Sequence, residues 1–206
     1  MIALGLAHLA FAWTLFILLA PLTSSLWWRC GLLTATSLLS VISVNGLTMA
    51  AYARSLTDDL AISSLVVLAW LTLNRLGVIK PMAASHRLVV LLVFAAMALA
   101  LYPATLGLTY FDPYRWGYNP RTMIIIVAVI ALGLVCLRNV LGVVMLSAAT
   151  LAFTFRIKPS ENYWDYLIDP LLALYCCVAL VCVAVRYVYR RAMGRNRPTG
   201  LSASAV

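Results

Sequence analysis

Apolar residues run almost without interruption along this chain, and polar residues come in short clusters that divide it into pieces. Met1 to Ala20 is broken only by His8 and Thr14 before Pro21 and the pair Trp27-Trp28 close the run. About 20 consecutive apolar residues are enough to carry a helix across the hydrocarbon core of a bilayer. The pattern predicts such spans over Met1–Ala20, Gly31–Ala53, about Leu60–Ile79, Leu88–Leu108 and Pro170 to about Tyr189. Two shorter runs, Thr122–Leu137 and Val140–Phe155, flank Arg138-Asn139 and predict a tight hairpin of two crossings. A re-entrant pair turning within the membrane is the alternative, and it would hold Arg138 at a costly depth. The expected fold is an all-α integral membrane protein with about seven transmembrane helices, or five plus a re-entrant hairpin. Residues 1–191 would form one polytopic transmembrane domain, and 192–206 a disordered basic cytoplasmic tail.

The polar clusters refine this scheme. Ser37, Ser40, Ser43 and Asn45, with Gly46 and Ala50 four apart, give the second predicted span a face suited to close helix packing, with Asn45 in an interhelical hydrogen bond. In Arg54-Ser55-Leu56-Thr57-Asp58-Asp59, Ser55 or Thr57 is placed to cap the next helix, and the aspartates to complement its dipole. Thr109 to Arg121 holds two prolines, a glycine and five aromatic residues, the composition of a structured interfacial loop.

Composition sharpens the class. The chain is 65% apolar and 10% charged, with a mean hydropathy of +1.01, whereas soluble domains carry about 25% charged residues. A water-soluble fold is excluded. The net charge of +9 has no soluble basic face on which to bind nucleic acid, and it reads as topology, because Lys and Arg collect on the cytoplasmic side. With seven crossings, Arg29, Arg75, Lys80, Arg87, Arg138, Arg186, Arg190, Arg191, Arg195 and Arg197 share the side of the C-terminus, against Arg54, Arg115, Arg121, Arg156 and Lys158 on the other. That split predicts an external N-terminus and a cytoplasmic C-terminus in a bacterial inner membrane. The terminal arginines would then contact anionic lipid at the cytoplasmic face. All six acids (Asp58, Asp59, Asp112, Glu161, Asp165 and Asp169) fall on the external side. The five cysteines show no Cys-x-x-Cys spacing and pack as small hydrophobes.

Three of those acids lie in Glu161-Asn162-Tyr163-Trp164-Asp165-Tyr166-Leu167-Ile168-Asp169-Pro170. Asp169 before Pro170 has the pattern of a helix N-cap with proline at the first helical position. Tyr163, Trp164 and Tyr166 read as an aromatic belt. Asp165 is the leading candidate for a catalytic acid on a short interfacial helix, followed by Asp58 and the intramembrane His8. Arg54, Glu161, Arg156 and Trp164 are candidate contacts for a substrate head group, with Asp58, Asp165 and His8 expected to face one polar pocket. Arg156 and Lys158 read as solvated interface charges, with pairing to the neighbouring acids or to lipid phosphates as the alternative. No phosphate-binding glycine loop, dinucleotide fingerprint or nucleophile elbow occurs, any cofactor is left unknown, and Asp58 and Asp59 beside Arg54 have holding a divalent cation or a head group as their alternative role. The function these features suggest is cell-envelope assembly, acting on or handling a lipid or lipid-linked head group at the external face. A non-catalytic subunit of a larger membrane complex and a transporter of small solutes or lipids are the alternatives, so membrane lipids and a membrane-protein partner are the expected partners.

Overall fold

In the computed structural model, which describes residues 2–195, the chain is mostly helical. The helices are α1 (Ile2–Leu19), α2 (Leu26–Val41), α3 (Met49–Thr57), α4 (Ile62–Arg75), α5 (Ala84–Thr105), α6 (Arg121–Cys136), α7 (Val140–Thr154), α8 (Trp164–Leu167) and α9 (Pro170–Arg195). Short 3-10 turns at Ala20–Leu22 and Pro113–Gly117 and a two-stranded ribbon complete the described residues. The segments Ile2–Leu22, Ala84–Thr105 and Pro170–Ala192 are long and apolar enough to cross a membrane, while α4, α6 and α7 are apolar but shorter. Residues 196–206, most of the expected tail, lie outside the described residues, and α9 continues as helix to Arg195.

The helices pack as a bundle in which α4 lies against α1 and α7, α6 against α7, and α9 against α5. Phe94 of α5 and Met145 and Leu146 of α7 are fully buried at its centre. Outward-facing positions such as Leu99, Ile125, Val129, Leu132 and Val181 are exposed and apolar, the surface that a hydrocarbon solvent requires.

Polar ties mark the two ends of the bundle. At one, Arg29 donates through Nη1 to the Arg75 carbonyl at 2.8 Å, and Asn139 donates through Nδ2 to the His86 carbonyl at 2.8 Å. Buried Asn139 also caps α7, accepting from Gly142 N–H at 3.1 Å. At the other end, Asp169 receives the N–H of Ala61 at 2.8 Å, and Thr150 meets the Tyr163 hydroxyl at 2.6 Å. The first end is basic. The second gathers the segments that carry all six acids.

The second predicted span is corrected. α2 stops at Val41, and the chain turns through strands β1 (Ser43–Val44) and β2 (Leu47–Thr48), with Ser43 opposite Thr48 and Val44 opposite Leu47. Asn45 (φ 50°) and Gly46 (φ 85°) form the two-residue tip. A tight hairpin turn with positive φ at both central positions favours Asn-Gly for this reason. Asn45 is therefore exposed at a turn rather than bonded between helices. Thr48 then caps α3, accepting from Ala51 N–H at 3.2 Å.

The expected cap of the third span is also corrected. Ser55 and Thr57 bond back to the carbonyls of Tyr52 and Ala53 within α3. Asp58 ends that helix at φ 59°, and α4 begins only at Ile62, so neither aspartate lies in its first turn.

The turn makes a contrast that can be measured. Gly46→Val places a β-branched residue at strongly positive φ and should cost about 1–2 kcal/mol. Gly133→Ala, inside α6 where an added Cβ meets nothing within 4 Å, should be neutral or gain up to about 1 kcal/mol. Thermal unfolding of both variants in detergent gives the comparison.

Candidate functional site

The loop of residues 156–169 covers the acidic end of the bundle as a lid, and the physical problem it solves is pairing its own polar groups. Lys158 is only 5% exposed. Its ammonium donates to three main-chain carbonyls, Asp165 at 2.8 Å, Asp59 at 2.9 Å and Leu60 at 3.1 Å. Burial pushes its pKa down, and the surrounding carboxylates of Asp59, Asp165, Asp169 and Asp58 oppose that shift. Tyr166 anchors the same turn from below, donating to the carbonyl of Lys158 at 2.8 Å and of Ser160 at 3.1 Å. Desolvation raises the Tyr166 phenol, as it does those of Tyr163 and Tyr114, the last also through the charge of Asp165.

The 3-10 turn at Pro113–Gly117 clamps the lid from the side. Asn162 donates to the Tyr114 carbonyl at 3.0 Å and accepts from Trp164 N–H at 2.9 Å, while Trp164 Nε1 donates to the Pro113 carbonyl at 2.9 Å. Tyr163 N–H donates to the Gly117 carbonyl at 3.0 Å. A Cβ on Gly117 would collide with Oδ1 of the buried Asn162 side chain, so glycine is what admits this approach. The expected aromatic belt is corrected here. Tyr163, Trp164 and Tyr166 are buried and make the inner face of the lid.

Asp169 caps α9 as its sequence pattern predicts, accepting from Leu172 N–H at 2.7 Å through Oδ1. Its other oxygen takes the N–H of Ala61 at 2.8 Å, just before α4. One buried carboxylate thus serves two helix N-termini, where negative charge is favoured.

Beside the lid opens a groove of about 220 Å³. Ala3, Ala7 and Ala10 on one face of α1 look toward it, as do Ala50 and Ala53 of α3. These small side chains leave the space. Phe11, Leu15 and Leu18 continue it along α1, and Arg54, Asp58, Asp59 and Lys158 line its polar part. Arg54 is held by Asp59 through two contacts, Nε to Oδ1 at 2.6 Å and a terminal nitrogen to Oδ2 at 2.9 Å. Its other terminal nitrogen has no protein partner among the described residues.

The candidate residues therefore divide. Arg54 and Asp58 line the groove together, joined by Asp59 and Lys158. Asp165 does not. Its half-buried carboxylate accepts from the hydroxyls of Ser160 and Tyr114 and is occupied within the lid. His8 lies on another face of α1, with Nδ1 3.2 Å from Ser40 Oγ of α2. Trp164 is a buried tie rather than a surface contact, and Glu161 and Arg156 are exposed at the lid surface, Arg156 at φ 51°. The expected single pocket for Asp58, Asp165 and His8 is not formed. Lys158 is the residue whose role sequence reasoning missed, and no local pattern separates it from a solvated charge, because two of its three partners lie at 59 and 60. Among the described residues, no three His, Cys, Asp or Glu side chains are placed to share a metal ion.

Two substitutions test the lid. Lys158→Met leaves three part-buried carbonyls without their donor and should destabilise the protein by about 1–3 kcal/mol. Asp169→Asn offers an amide nitrogen to one of two N–H donors and should cost about 1–3 kcal/mol, although asparagine is an equal cap in isolation. Chemical denaturation in detergent micelles measures both.

No family model matches the chain, and comparison with curated proteins and with solved structures returns no match.

Proposed function

We propose that this protein handles a lipid or lipid-linked head group at the external face of the membrane, in the service of cell-envelope assembly. The observation that carries the reading is the construction of the groove. An apolar trough bounded by alanines runs along α1 and meets Arg54, Asp58, Asp59 and Lys158 beside the lid. A hydrocarbon chain is matched by the trough, and a phosphate-bearing head group by the uncommitted donors of Arg54. Binding and presentation of the lipid are the roles this chemistry supports, with Asp59 orienting the guanidinium and the Lys158 clamp holding the mouth in shape.

In this reading seven helices (α1, α2, α4, α5, α6, α7 and α9) cross a bacterial inner membrane, with the N-terminus external and the C-terminus cytoplasmic. The alternative keeps α6 and α7 as a re-entrant pair. Seven crossings are supported by the ten-to-five division of basic residues and by the exposed position of Arg138 in the turn between those two helices.

Lipid bound to protein purified from its native membrane, identified by mass spectrometry, tests the groove. Ala7→Trp fills the trough and should remove that lipid, and Arg54→Gln should weaken its retention by about tenfold while the fold persists. Retention unchanged in both variants rejects the reading. For topology, Glu161→Cys and Ser85→Cys, each in a cysteine-free background, should label from opposite sides with an impermeant reagent. Labelling from one side rejects the seven-crossing scheme.

A further inference from the structure

A second cavity lies toward the basic end of the bundle, and the lid plays no part in it. There α9 packs chiefly on α5 while α4 packs on α1 and α7, and a cleft of about 200 Å³ remains between α4, α5 and α9. Val67, Trp70 and Leu71 of α4 form one wall, Val90 and Leu91 of α5 the floor, and Tyr175 and Cys176 of α9 the other wall. Asn74, Pro81, Met82 and Arg87 make the rim. From Val67 to Asn74 the wall runs about 10 Å along the helix axis at 1.5 Å per residue. Its lining is apolar and aromatic except at that rim, where the polar groups collect.

The charge at the rim is of one sign. Arg87, in the first turn of α5, lines the cleft, and Lys80 precedes Pro81 in the α4–α5 connection, which is held by Asn74 Nδ2 donating to the Ile79 carbonyl at 3.2 Å. Arg87 makes no ion pair among the described residues, because the one ion pair found there joins Arg54 to Asp59 at the opposite end. Every acid of the sequence belongs to that opposite end. A guanidinium at the rim of an apolar slot, with exposed Lys80 next to the rim residue Pro81 in the chain, complements an anion carried on a hydrocarbon chain.

We infer that the cleft between α4, α5 and α9 binds one acyl chain of an anionic phospholipid, with the phosphate held at the rim by Arg87 and Lys80. The inference rests on embedding of the long apolar helices in a bilayer and is independent of the groove at the acidic end. Tyr175 and Trp70 flank the chain from opposite walls. The phosphate stays at the level of the α4–α5 loop, where water reaches the guanidinium.

The test is competition in vesicles of equimolar phosphatidylcholine and phosphatidylglycerol, followed by gentle extraction and native mass spectrometry. The wild-type protein should retain one phosphatidylglycerol per chain, with a preference of at least about fivefold, the ratio expected for one basic group near an anionic surface. The double variant Arg87→Gln, Lys80→Gln should fall to parity between the two lipids. Arg87→Lys should keep the preference, and Leu71→Trp, at the exposed mouth, should expel the retained lipid. Arg190→Gln with Arg191→Gln, on α9 beyond the cleft, should leave the preference in place, as should Ala7→Trp in the other groove. Equal retention of the two lipids by the wild type, or an undiminished preference in the Arg87, Lys80 double variant, overturns the inference. Either result leaves the test of the acidic-end groove untouched.

Discussion

The Lys158 ammonium, buried under the lid and bonded to the carbonyls of Asp59, Asp165 and Leu60, joins the lid to the connection before α4, about a hundred positions away in sequence. Desolvating a charge costs several kcal/mol, and only a full set of partners offsets it. Here the three carbonyls supply the hydrogen bonds and nearby carboxylates supply the opposing field. The connection before α4 is therefore fixed relative to the lid, and Lys158 is fixed relative to the lid's own α8 turn. The mouth of the groove inherits that geometry, since Asp58, Asp59 and Lys158 all stand in its wall.

The same rule of complete pairing shapes the rest of the acidic end. A loop closing an apolar bundle must satisfy its main-chain groups internally wherever water is excluded. Tyr166 does so for the turn at Lys158, Asn162 for the 3-10 turn at Pro113–Gly117, and Asp169 for two helix N-termini at once. Asp165 belongs to this network through Ser160 and Tyr114. Its polar surroundings explain a half-buried carboxylate without any reaction. What remains open to a ligand in the groove is the alanine-walled trough and the donors of Arg54 that Asp59 does not use.

The groove and the cleft lie on different faces of α4 and differ in electrostatic character. Leu65 faces the groove, whereas Val67 and Trp70 face the cleft, and on α9 Leu171 and Leu172 divide in the same way. The groove mouth carries both signs of charge, and the cleft rim only positive charge. α4 is a wall shared by the two, so its packing against α1 and α7 governs how wide each can be.

Much of the architecture was legible because a bilayer leaves few choices. Apolar runs long enough to span must be helices, which located the long helices Ile2–Leu22, Ala84–Thr105 and Pro170–Ala192, and Asp169-Pro170 marked the start of α9 by local cap chemistry. The hairpin at Asn45-Gly46 was equally local and legible, but the apolar run around it suggested a continuous span instead. Other features depended on distant partners. Whether Lys158 is a solvated charge or a buried clamp depends on carbonyls about a hundred positions away in the chain. Whether Trp164 faces lipid or Pro113, and whether His8 meets Asp58 or Ser40, depends on which helix faces meet. Composition and local pattern alone determined that this chain is a helical membrane protein and where several of its helices begin. Packing alone decided which polar groups are used up inside the lid and which remain free to meet a ligand, because hydrogen bonds between distant segments exist only once the segments are brought together.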